Sequence, residues 1–164
     1  QGRMGMAVLS DETWRRHANP WSVWTRYGAF PLLVLAAWSA HGIGWWSLLP
    51  VAAVVLWLIV NPRAFPPPRS TDNWASKAVL GERVWTGLKR NDVPARHRAV
   101  PRIASAIAMV AMLSLLWGLW QRDAAVTFLS TAIVMLAKTW FVDRMVWLFE
   151  DMKDSNPEYR SWLY

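Results

Sequence analysis

The 164-residue chain contains no cysteine, so disulfides, thiolate metal centres, iron–sulfur ligation and cysteine-based catalysis are excluded. Its three histidines, His17, His41 and His97, lie out of helical reach of one another, which removes the His-rich iron centres of membrane desaturases and hydroxylases. Charge is scarce: 18% of residues are Asp, Glu, Lys or Arg, where ordinary soluble domains carry about a quarter. Headgroup or isoprenoid chemistry needs clustered acids for Mg²⁺ or a positioned base. The carboxylates spaced three or four apart near an apolar boundary are Glu150 and Asp151 with Asp154, in a polar tail with no partner cluster. No catalytic, cofactor or metal residue is therefore assigned, and the sequence does not read as an enzyme.

What the chain has in excess is apolar surface: 54% of residues are hydrophobic and 14 are Trp, a side chain that gathers at membrane–water boundaries. Residues 1–6 read as the remnant of a cleaved tag and a start methionine, leaving 7–164 as one domain. Four apolar stretches, at about 24–40, 45–60, 103–120 and 124–142, each approach the roughly 20 residues that span a bilayer core. None alternates apolar and polar residues as a barrel strand would. The expected fold class is an all-α integral membrane protein, with four transmembrane helices in two hairpins around a polar loop at 61–102 and an amphipathic helix in that loop.

Charge sets the expected orientation. The tight turn at 121–123 holds only Arg122, whereas the middle loop carries Arg63, Arg69, Lys77, Arg83, Lys89, Arg90, Arg96, Arg98 and Arg102. Arg15, Arg16, Arg26, Lys153 and Arg160 fall on the same side, so both termini and the loop are expected in the cytoplasm of a prokaryotic inner membrane. The net charge of +7 then reflects contact with the bilayer and its anionic lipid headgroups rather than nucleic acid.

Within the loop, Pro66-Pro67-Pro68 enforces an extended segment, and Asp72 is placed to cap a helix. Trp74, Ala78, Gly81, Trp85 and Leu88 then recur at helical spacing. Such a stripe suits a helix lying on the membrane surface, and equally one packed beneath its own bundle or against another subunit.

The last apolar stretch carries the candidate pathway. Thr127, Ser130, Thr131 and Lys138 share one helical face. An intramembrane Lys costs about 2.5–3.5 kcal/mol at the bilayer centre on insertion scales and marks either a pathway or an acid partner, unless its stem snorkels to the boundary. The hydroxyls serve equally well as helix–helix hydrogen-bonding groups. Asp143 and Arg144 are adjacent and point about 100° apart, so each needs a partner elsewhere; Arg26 or Arg63 is the expected partner of Asp143 in an ion pair closing the cytoplasmic face. Ala104, Ala108, Ala111, Ser114 and Gly118 allow close helix approach, one use of which is oligomerisation.

Asn19-Pro20-Trp21-Ser22 with Trp24-Thr25-Arg26, Asn61-Pro62-Arg63-Ala64-Phe65-Pro66, Leu80-Gly81-Glu82 and Phe141-Val142-Asp143-Arg144-Met145 resemble a family of small bacterial and archaeal polytopic membrane proteins of unknown function. The resemblance covers 14–150 and implies a stand-alone membrane protein that works at the cytoplasmic ends of its helices. Two functional expectations follow. One is a homo-oligomeric channel or transporter for a small ion or solute, anions favoured by Lys138. The other is a non-catalytic accessory protein engaging lipids or a larger complex through the basic loop.

Overall fold

The computed structural model describes residues 10–89 and 92–164; residues 1–6, read above as a tag remnant and start, lie outside them. The described residues are helical, without strands. In chain order the helices are α1 (Asp11–His17), α2 (Pro20–Trp38), α3 (Ala40–Ile43), α4 (Leu48–Ala64), α5 (Trp74–Gly87), α6 (Ala99–Gln121), α7 (Ala124–Met152) and α8 (Pro157–Ser161). Three segments are long and apolar enough to cross a membrane: Pro20–Ala64, Ala95–Gln121 and Ala124–Met152. This is consistent with a multi-pass membrane protein.

Local chemistry sets the boundaries. The Asn19 side chain accepts from Trp21 N at 2.9 Å and Pro20 takes the first helical position, so α2 starts four residues before the apolar run begins. The chain breaks after Trp38, where Gly44 at φ +55° ends α3, and a 3₁₀ turn over Gly44–Ser47 leads into α4. The stretch expected as helix from 45 therefore starts as this turn, and α4 runs on to Ala64. Asn73, rather than Asp72, caps α5, accepting from Ser76 N at 2.9 Å. Asp72 instead pairs with Lys77 at 2.6 Å.

Helix α7 continues ten residues beyond the expected end at 142. Its 29 residues measure roughly 43 Å, well over a bilayer core of about 30 Å. Beyond 142 the sequence is too charged to read as a membrane span, yet Val142, Met145, Leu148 and Phe149 are buried at helical spacing. Met145, Leu148 and Phe149 meet Leu80 and Val84 of α5 and the loop residue Val93. A second cluster joins Trp14 and Ala18 to Val23, Ala75 and Val79. The main apolar cores thus lie at the polar end of the molecule, where α5 lies across α7. At this crossing Gly81 sits directly on the Met145 backbone.

Elsewhere helices pack in pairs. α6 and α7 meet through small residues, with Ala104, Ala111 and Gly118 buried and Ser130 donating to Ser114 at 2.8 Å. α2 and α4 are locked by polar groups: Ser22 Oγ donates to Asn61 Oδ1 at 2.7 Å, and Asn61 Nδ2 donates to Thr25 Oγ1 at 2.9 Å. Ser22 and Asn61 are wholly buried. Asn61→Ala removes both bonds and leaves a buried hydroxyl without its acceptor, a loss of about 2–3 kcal/mol. The expected melting temperature in detergent falls by about 4–12 °C; an unchanged melt would show that the lock contributes no stability.

Candidate functional site

Helices α1, α2, α5 and α7 bring together four ionisable side chains: His17, Arg26, Glu82 and Lys138. Arg26 Nη1 donates to His17 Nε2, and Arg26 Nε donates to Ser22 O at 3.1 Å. With Nε2 accepting, the imidazole proton sits on Nδ1, an atom that is buried and without a hydrogen-bond partner. Burial first, then the positive charges of Arg26 and Lys138, hold the His17 pKa down at about 3, so this imidazole is neutral at neutral pH.

Glu82 is the acid of the cluster. Burial pushes its carboxyl above the ordinary range, opposed by Arg26 and Lys138. Among the described residues neither cation forms an ion pair with it. Lys138 is the deepest charge on α7; its Nζ lies 5.9 Å from the Tyr27 ring centroid, and its charge acts on both His17 and Glu82. Two cations, one carboxyl and a neutral imidazole make a cluster of net basic character. No group of three or more His, Asp and Glu among the described residues could hold a metal ion.

The other residues singled out in the sequence occupy different surroundings. Thr127 donates to Asp123 O and Thr131 to Thr127 O, both at 2.7 Å, while Ser130 is taken by Ser114. These three hydroxyls are therefore engaged within the α6–α7 pair, although Thr127 and Thr131 also border an apolar groove of about 390 Å³ between α2 and α7. Asp143 accepts from Trp74 Nε1 at 3.2 Å rather than forming an ion pair with Arg26 or Arg63. The Arg63 carbonyl accepts from Arg16 Nη1 at 3.5 Å, and the Arg144 guanidinium stacks 4.8 Å over the Trp147 ring.

The expected stripe of α5 is rotated in part. Ala78 and Gly81 are buried, Trp74, Trp85 and Leu88 are half-buried, and Ala75, Val79, Leu80 and Val84 complete the buried face. This helix packs beneath its own bundle, the second of the arrangements its periodicity allowed.

His17 and Glu82 carry almost no signal as site residues in the sequence. Glu82 stands in Leu80-Gly81-Glu82 and His17 follows two arginines, but the elements that pack against them are remote in sequence. Lys77 was likewise counted only as a loop cation, yet it bridges Asp72 and Glu150 at 2.6 Å each. The short motifs themselves converge here. Asn19 Nδ2 donates to Pro66 O at 2.9 Å, Ser22 and Thr25 bind Asn61, Gly81 rests on Met145, and Glu82 feels Arg26. No curated protein and no solved structure matches this chain. A family model does match, over residues 1–162, and the chain belongs to that family, a family of unknown function (DUF6653).

Proposed function

We propose that this chain is a homo-oligomeric membrane channel or transporter for a small anionic solute, selected at the Arg26–His17–Glu82–Lys138 cluster. The carrying observation is Lys138. It is exposed on the surface of α7, lacks an ion-pair partner among the described residues, and its charge acts on both His17 and Glu82 in a net basic cluster. A lysine so placed is costly against lipid, and a second copy covering this face, or an anion held there, offsets that cost.

The segment Pro20–Ala64 is read as two spans. Forty-five helical residues would extend roughly 68 Å, whereas the Ser22–Asn61 bond requires its ends to meet, favouring a hairpin. With α6 and α7 as a second hairpin this gives four spans, and the basic loop residues put both termini in the cytoplasm of a prokaryotic inner membrane.

The test is flux through liposomes containing purified protein, with anion and cation probes in parallel. Anion flux reduced at least about tenfold by Lys138→Ala and retained by Lys138→Arg supports the reading; absence of flux under any gradient rejects it. The latter result would favour the accessory reading, in which the helices conduct nothing and the protein engages lipids or a larger complex. One observation favours that alternative: Thr127, Ser130 and Thr131 already have partners inside the bundle, leaving little hydroxyl lining.

A further inference from the structure

A basic recess lies farther along α5, between the end of that helix and the start of α6. Trp85, Leu88 and Val93 form its apolar wall, Arg98 and Arg102 supply its charge, and its volume is about 250 Å³. Arg98 Nε donates to Val93 O at 2.6 Å, which fixes that side chain to the wall. Arg102 is exposed.

The depth of this recess follows from helix register. Ser114 meets Ser130 and His97 meets Asp151, at 2.8 and 2.5 Å, so α6 and α7 run antiparallel with Arg102 level with Asp143 and Arg144. On α7 these are the first charges beyond Lys138, and on α6 no charged residue occurs between Arg102 and Arg122. Trp85 reaches the same level, meeting the Phe141 ring edge-on at 6.4 Å between centroids. Arg102 therefore stands where the apolar length of the bundle gives way to polar surface, the depth of lipid phosphates. Met109, Leu113 and Leu116 lie on the same face of α6 as Arg102 and are 67%, 64% and 56% exposed, forming an open apolar track that leads away from the recess.

We infer that this recess binds the phosphate of an anionic phospholipid between Arg98 and Arg102, with an acyl chain along Met109, Leu113 and Leu116. A guanidinium pair matches a phosphate diester in charge and geometry, Trp85 suits the interfacial layer, and a free soluble anion would make no use of the apolar track. The inference rests on the membrane placement proposed above but not on transport.

The experiment reconstitutes the full chain into nanodiscs of equal phosphatidylglycerol and phosphatidylcholine and counts lipids retained per protein by native mass spectrometry. Wild-type protein is expected to retain phosphatidylglycerol preferentially. Arg102→Gln should reduce retention at least about fivefold, as loss of a charge-assisted contact does, at an unchanged melting temperature because Arg102 is exposed. Arg122→Gln, at the other end of α6, should leave it unchanged, and excess inorganic phosphate should not displace the lipid. Equal retention by wild type and Arg102→Gln, or equal retention of the two lipids by wild type, overturns the inference. Full displacement by inorganic phosphate overturns it in favour of a soluble anion. Failure of the chain to enter nanodiscs would instead reject the membrane placement.

Discussion

Gly81→Ala is expected to cost about 3 kcal/mol or more, and to abolish recovery of folded protein if α5 cannot shift. A Cβ at this position falls on the backbone carbonyl of Met145, with Met145 Cα at 3.0 Å. Overpacking usually costs about 1–3 kcal/mol because side chains can turn aside; a backbone carbonyl inside a continuous helix cannot, so α5 must lift from α7. Lifting it would open the cluster of Leu80, Val84, Val93, Met145, Leu148 and Phe149 and move Glu82 relative to Arg26 and Lys138. Gly28→Ala and Gly87→Ala are the controls, since a Cβ at either meets nothing within 4 Å; Gly28 is within a helix, and Ala there should be neutral or stabilising by up to about 1 kcal/mol. Thermal melts in detergent with size-exclusion profiles separate the cases. A Gly81→Ala protein that melts with wild type would show that the α5–α7 crossing is looser than its geometry implies.

The apolar part of this architecture was legible because lipid imposes a simple rule: backbone groups are satisfied within each helix, so spans appear as long uncharged runs. The small-residue run in α6 was equally readable, since Ala104, Ala111 and Gly118 are the positions where α7 comes close. Legibility failed where burial is supplied by remote elements. The charged residues of 143–152 masked the continuation of α7, because only the α5 face of each turn needs to be apolar. Asp143 was expected to seek an arginine by charge alone, whereas the fold offers it an indole N–H from Trp74. The basic loop read as headgroup contact, yet Lys77, Arg83 and Arg96 pair with Asp72 and Glu150, with Asp11, and with Asp151. Charge counts fix which side of a membrane a segment favours, but not which cations the fold has already neutralised. Of the site, Lys138 was visible as an isolated charge in an apolar run and Arg26 as a flanking cation. His17 and Glu82 join them only through packing of α1 and α5 against the spans.

Those two hidden residues make the second large prediction, a dependence of stability on pH in which they act with opposite signs. His17 ordinarily titrates at 6.5 and is held at about 3 in the folded protein. Between those values the unfolded chain takes up a proton that the folded chain refuses, so its contribution to stability is complete above pH 6.5 and is lost as pH falls, by at most about 1.4 kcal/mol per unit. Glu82 behaves in the reverse sense. Its folded carboxyl keeps a proton above the ordinary 4.5, so its contribution is present at low pH and is lost as pH rises through the folded value. Wild-type protein is expected to lose stability from pH 6.5 to 5 through His17, while the Glu82 change acts in the opposite direction. Glu82→Gln removes that opposing change; His17 alone then loses about 1.6 kcal/mol over the interval, and the melting temperature should fall by about 3–7 °C. His17→Gln should remove the acid loss while leaving the Glu82 trend, so that stability rises as pH falls. The series is kept at pH 5 and above, within the interval where His17 acts, and the three proteins should differ most at the acidic end. Parallel melting curves for all three across the interval would mean that neither group is shielded enough to shift its titration, and that the cluster is open to water.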